Sequence, residues 1–205
     1  MEDLVCCVQL GPGWVDLTLA TGARSEAEAL AATTVELYGP RGLAIEKKAL
    51  FEDVAARATA LNADGPIMAA AFYSGTGEAV VDFVIDSYLD DVDEDGEGLP
   101  RPDLDEARSL LLDWMGSDTT GEPEVTYPDL EAGPTVRLRS QVRTKQLLGL
   151  WRQDTGSLTY AVLPPGVRSV VLASFTWRNM AQTEKVAELA GELMATLQVT
   201  PTESG

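Results

Sequence analysis

Apolar and polar positions alternate with two different periods along this chain. Val5 to Leu10 reads as a short strand, and Gly11-Pro12-Gly13 as the turn after it. Trp14 to Ala20 alternates with period two, as a half-buried strand does. Ser25 and Glu28 then have the spacing of a capping box. They predict a helix whose stripe is Ala27, Leu30, Ala31, Thr34, Val35 and Tyr38, stopped by Gly39-Pro40. A second helix is predicted from about Gly42 to Leu61, with Leu43, Leu50, Val54 and Leu61 inward. The segment Asn62 to Pro66 ends it.

Ile67 to Tyr73 reads as a strand, and Ser74-Gly-Thr-Gly77 as a hairpin turn. Glu78 to Leu89 returns with Val81, Phe83 and Ile85 on one face and Asp82 and Asp86 on the other. An acidic loop at about 90–102 leads into a helix from about Asp103 to Met115. Asp103 and Glu106 have capping-box spacing there, and Leu104, Ala107, Leu110, Leu111 and Trp114 form the apolar stripe. Strands dominate the rest: Glu124 to Tyr127, Pro134 to Lys145, Leu147 to Gln153, Leu158 to Leu163 and Val167 to Trp177. Turns are predicted at Asp154-Thr-Gly156 and Pro164-Pro-Gly166. A final helix, from about Ala181 to Gln198, carries Val186, Leu189, Ala190, Leu193, Met194 and Leu197 on one stripe. A short disordered tail is predicted at about 200–205. Consecutive strands joined by short turns imply an antiparallel sheet, and the interspersed helices imply that it is covered. The expectation is an α+β protein, one domain over residues 1–205, with an antiparallel sheet flanked by helices.

Two stretches carry a resemblance to a known family. Gly11-Pro-Gly-Trp14-Val-Asp-Leu17 resembles the Trp-containing first strand of the PsbP-like and DcrB-like superfamily. Tyr160-Ala-Val-Leu-Pro164, Val170-Val-Leu-Ala-Ser-Phe175 and the helix through Ala187-Glu-Leu189 to Leu193-Met-Ala-Thr-Leu197 are similar to its closing hairpin and helix. The resemblance implies an α/β/α sandwich. It also implies non-enzymatic roles, such as assembly factor, small-GTPase binder, or cytoplasmic adaptor and chaperone of secreted effectors. The family shares no catalytic motif, so no catalytic residue is carried over. The Ala-, Gly- and Arg-rich usage fits a high-GC bacterium.

Composition narrows the chemistry. The 205 residues include 33 Asp and Glu against 15 Lys and Arg, a formal charge of −18. Such a surface repels nucleic acid. There is no histidine, which removes every His-dependent triad and the commonest metal ligand. No enzyme is expected, and no cofactor. No apolar run approaches the roughly 20 residues of a membrane span, and no secretory signal is evident, so a cytoplasmic protein without a membrane partner is expected. Cys6 and Cys7 are adjacent and are expected to stay reduced. Nothing in the sequence has the Gly-rich pattern of a phosphate-binding loop.

Two constellations stand out. Asp91, Asp93 and Asp95 before Gly96 match the front of an EF-hand loop, where alternate carboxylates converge on calcium. The match ends there, because Pro102 stands where a bidentate Glu is needed. Ten acids between Asp86 and Glu106 make a solvated acidic loop the competing reading. The second constellation is a basic strand in an acidic protein. Residues 1–132 carry a net −21 and residues 133–205 a net +3. Period-two geometry puts Arg137, Arg139, Gln141 and Arg143 on one face, with Val136, Leu138 and Val142 behind. Either these arginines pair with carboxylates on neighbouring strands, such as Asp82 and Asp86, or they form a docking strip for an acidic partner segment. Trp14, Trp114 and Trp177 are expected in the core. Trp151, beside Arg152 and a turn, is the candidate for an exposed interface anchor.

These features predict a non-catalytic protein-binding module, an adaptor or chaperone that docks a partner segment on its sheet face or in a groove. Arg137, Arg139, Arg143 and Trp151 are the candidate contacts. The alternative is a small-ligand carrier or sensor with a pocket between sheet and helices. A strand-rich surface also makes a homodimer a candidate state.

Overall fold

A computed structural model describes residues 4–38, 46–88, 102–114, 119–145 and 152–201. In chain order the elements are β1 (Leu4–Cys7), β2 (Trp14–Asp16), α1 (Arg24–Tyr38), α2 (Lys47–Leu61), β3 (Met68–Tyr73) and β4 (Ala79–Tyr88). They continue with α3 (Leu104–Trp114), β5 (Glu124–Thr126), β6 (Asp129–Leu130), β7 (Gly133–Lys145), β8 (Arg152–Val162), β9 (Val170–Trp177), α4 (Thr183–Met194) and β10 (Gln198–Pro201). The fold class is α+β, as the alternation predicted. Among the described residues no helix is long and apolar enough to cross a membrane.

The chain divides into two compact units, Leu10–Val84 and Met1–Gln9 with Ile85–Gly205. In the first, β2 pairs antiparallel with β3, Trp14 opposite Phe72. Helices α1 and α2 bury Ala27, Ala31, Leu50, Val54 and Ala58 against Leu17, Ala69 and Ala71. Alanine on both layers lets the helices approach closely. Asn62 ends α2. Its buried amide donates to the carbonyls of Leu17 (2.8 Å) and Ala58 (2.7 Å), and its oxygen accepts from Leu19 N–H (3.0 Å). One side chain thus closes the helix and fixes the segment that follows β2. The turn from β3 into β4 forms as predicted, with Ser74 N–H donating to Glu78 O and Gly77 at φ 86°.

In the second unit β9, β8, β7 and β5 are successive antiparallel neighbours, with β6 paired to β7. Val136 and Leu138 of β7, Ala161 of β8 and Leu172 of β9 pack against Ala107 and Leu111 of α3. The opposite face carries Tyr160 and Phe175, edge-on at 5.9 Å. There Trp177 Nε1 donates to Thr183 Oγ1 at the start of α4 (3.2 Å). Helices therefore cover both faces of these strands. The box at α3 closes as its letters require. Asp103 Oδ1 accepts from Glu106 N–H (2.9 Å) and Glu106 Oε2 from Asp103 N–H (2.8 Å).

Several expectations are corrected. No turn interrupts 154–156, because β8 runs unbroken and Gly156 is opposite Trp177 in the β8–β9 ladder. The first helix begins at Arg24, not Ser25, and Glu26 rather than Glu28 reaches back, accepting from Thr21 N–H (3.0 Å). The strand at Trp14 ends at Asp16, whose carboxylate accepts from Thr18 N–H (2.9 Å) and turns the chain. The last helix stops at Met194, and Gln198–Pro201 is a strand paired with Leu4–Cys7. Residues 200 and 201 thus belong to a strand, and 202–205 lie outside the described residues. Trp114 was expected in the core and is 56% exposed, edge-on to Tyr88 at 5.7 Å.

Candidate partner-binding site

The arginine strip lies on one face of β7, as period-two geometry requires. Each arginine is engaged within its own unit. Arg137 Nε donates to Thr126 Oγ1 (2.8 Å), its neighbour across the β5–β7 ladder. It also lies beside Tyr160, where burial raises the phenol pKa and the guanidinium opposes the rise. Arg139 is paired with Glu124 on β5 (2.5 Å) and Glu184 in the first turn of α4 (3.0 Å). Arg143 binds Asp154 through both Nε (2.7 Å) and Nη2 (3.3 Å), which raises its pKa further. Glu124 on β5 and Asp154 on β8 are carboxylates on neighbouring strands, as one of the two readings expected, although the particular residues differ from Asp82. Asp82 is held instead by Arg57 in the first unit. Trp151 and the acidic loop with Asp91, Asp93 and Asp95 lie outside the described residues.

Around Arg139 the surface opens into a cleft of about 480 Å³, with Glu122, Glu124 and Glu184 on its rim and Trp177 and Met180 in its lining. One guanidinium among three carboxylates leaves this cleft net negative. A docking strip for an acidic segment needs unopposed cations, and Arg139 and Arg143 are each opposed by carboxylates, while Arg137 is bonded to the neutral Thr126 hydroxyl. Pairs this exposed contribute only roughly 0.2–1 kcal/mol each to stability. They matter more as local charge than as structural ties.

A second cleft, of about 530 Å³, is lined by Asp103, Leu104, Asp105, Tyr127, Pro134 and Leu163. Three local features build it. The capping box fixes the start of α3 and places Leu104 inward. The β6–β7 turn, with Asp129 opposite Pro134, carries Pro134 to the mouth. Tyr127 follows β5 and is 54% exposed. Leu163, almost fully buried, forms the floor. The sequence reading missed this site because Tyr127 and Leu104 are 23 positions apart and neither stands out. The available signal was a tyrosine just after a short strand, flanked by Pro128.

The first unit holds a different arrangement, a part-buried tie rather than a cleft. Arg57 Nε donates to Asp53 (2.8 Å) and Nη1 to both oxygens of Asp82 (2.5 and 2.7 Å), while Tyr73 Oη donates to Asp53 (2.9 Å). Burial alone would lower the Arg57 pKa, but the two carboxylates outweigh it and the net shift is upward. Burial, then Asp53, pushes the Tyr73 phenol far above its usual range. The sequence signal was available here too, since Arg57 is the only Lys or Arg between Lys48 and Arg101. In the same unit, α1 and α2 leave a groove of about 410 Å³ lined by Phe51, alanines and Thr59, with the charged Arg24, Glu28 and Glu52 also in its lining. Among the described residues no group of three or more Cys, Asp or Glu is placed to hold a metal.

No protein-family model matches the chain. No curated protein matches it either. Among solved structures it is similar to LpqN of Mycobacterium tuberculosis, described as involved in cell envelope biogenesis. That likeness has 9% identity and a TM-score of 0.48, over 98% of this chain and 86% of that one. It is also similar to the Ran-binding protein Mog1p of Saccharomyces cerevisiae (12% identity, TM-score 0.38, over 58% and 67%). A third likeness is to a Bacteroides thetaiotaomicron protein (17% identity, TM-score 0.36, over 67% and 40%). At these values no activity passes from the neighbours to this chain.

Proposed function

We propose that this chain is a non-catalytic protein-binding module that docks a segment of a partner protein on its second unit. The observation that carries this is Tyr127, a large aromatic ring 54% exposed at the mouth of the cleft over Leu163. Half-exposed aromatic rings beside apolar pockets are the usual anchors of protein interfaces. Trp114, equally exposed at the far end of α3, extends the surface. The lack of histidine and the engagement of Arg137, Arg139 and Arg143 support a binding role over catalysis. The PsbP-like resemblance, the cytoplasmic setting and the adaptor or chaperone role are what the sequence reading contributes to this proposal.

The ligand-carrier reading has less support. A small-molecule pocket is concave, enclosed, and lined by a few convergent polar groups. The two clefts described above open to solvent. Among the described residues no buried side-chain nitrogen or oxygen lacks a hydrogen-bond partner.

The test is site-specific photo-crosslinking. A photoreactive phenylalanine analogue at Tyr127 should capture one protein partner in the native host, and the same analogue at Glu188 on α4 should not. Equal capture at both positions, or none at Tyr127, would sink the proposal.

A further inference from the structure

The Tyr127 cleft has a one-sided charge. Asp103 and Asp105 line it, and among the described residues no cationic side chain does. Asp129 is exposed and is the register partner of Pro134, which brings a third acidic residue next to this lining. Asp103 is committed to capping α3, with one oxygen accepting from the N–H groups of Asp105 and Glu106. Asp105 has no capping duty and is exposed. Of the β7 arginines, Arg137 is nearest in register and is bonded to Thr126 on the face away from Val136, Leu138 and α3, and Arg139 is shared by Glu124 and Glu184.

An apolar floor inside an anionic rim selects by charge. Acidic segments are repelled and cationic ones are drawn in, while affinity comes from the apolar contact. We propose that the cleft takes a linear segment of a partner protein in which a large apolar side chain is flanked by lysine or arginine. This rests on the docking reading above and reverses the partner charge that the arginine strip suggested. The apolar residue packs between Tyr127 and Leu163, and the cations face Asp105 and Asp129. The same rim repels nucleic acid and anionic lipid.

The test selects peptides of about a dozen residues from a random phage-displayed library on the intact protein. Binding is then measured by fluorescence anisotropy at low and high salt. Three variants accompany the parent: Tyr127→Ser, Asp105→Lys and the distant control Glu188→Lys, each checked for folding by circular dichroism. The expected result is enrichment of peptides with an aromatic or aliphatic residue beside Lys or Arg. Tyr127→Ser should abolish their binding, Asp105→Lys should weaken it several-fold at low salt and less at high salt, and Glu188→Lys should leave it unchanged. Neutral or acidic peptides that still need Tyr127 would overturn the charge rule and leave the docking reading standing. Peptides indifferent to Tyr127 would overturn both. No enrichment, or self-association of the chain lost in Tyr127→Ser, would overturn the basic-segment proposal.

Discussion

Gly156 of β8 stands directly opposite Trp177 of β9, and the indole ring fills the space where a side chain at 156 would be. A Cβ there would fall inside the ring's van der Waals surface. Trp177 is itself almost fully buried and anchored to Thr183, so it cannot swing away freely.

Gly156→Ala should therefore cost about 1–3 kcal/mol by overpacking. Equilibrium urea denaturation checks this. The double variant Gly156→Ala with Trp177→Leu should lose less than the two single losses added together, because the clash goes with the ring.

Asn62→Ala should destabilise the chain by about 2–3 kcal/mol, since three hydrogen bonds are lost and the carbonyl of Leu17 loses its donor. Asn62→Asp should be at least as damaging at neutral pH, because the carboxylate presents acceptors to two carbonyls. Thermal melts of both variants decide it, and an unchanged midpoint in Asn62→Ala would remove Asn62 from this role.

Arg57→Met should cost about 2 kcal/mol, because it leaves Asp53 and Asp82 facing each other in a part-buried site. A second change, Asp82→Asn, should recover part of that loss. The comparison needs only denaturation midpoints at one pH and salt.

Alkaline pH should weaken the fold in a defined window. Burial, then the neighbouring Cys7, raises the Cys6 thiol to about 11. Tyr73 shifts in the same direction. A group whose pKa is raised by folding stabilises fully below its unfolded value, here about 9 for the thiol. That contribution is lost as pH climbs through the folded value. Stability should hold to about pH 9 and then fall. Iodoacetamide at mildly alkaline pH should label exposed Cys7 well before Cys6, read by peptide mass spectrometry.

Local signals were legible wherever one turn of chain decides the structure. Asp103 and Glu106 closed their box, and Val81, Phe83 and Ile85 took one face of β4. The alternation of β7 also placed its arginines correctly. What they bind was not legible, since Glu184 lies 45 positions from Arg139. Gly156 was misread as a turn because glycine serves both turns and close approaches, and only Trp177 tells them apart. Trp114 fits an apolar stripe by spacing, but the stripe is wider than the face α3 buries. The Tyr127 cleft was invisible because its lining comes from four separate segments of the sequence.

The pairing of β1 with β10 bears on the order in which the molecule can be made. Residues 4–7 leave the ribosome nearly two hundred residues before their partners at 198–201. The unit of residues 10–84 is contiguous and can complete its own contacts while translation continues. The other unit is split around it, and its two-strand closure must wait for the last of those residues. Strand β1 therefore waits as an unpaired edge, with the free thiols of Cys6 and Cys7 on it, while the residues up to β10 are made.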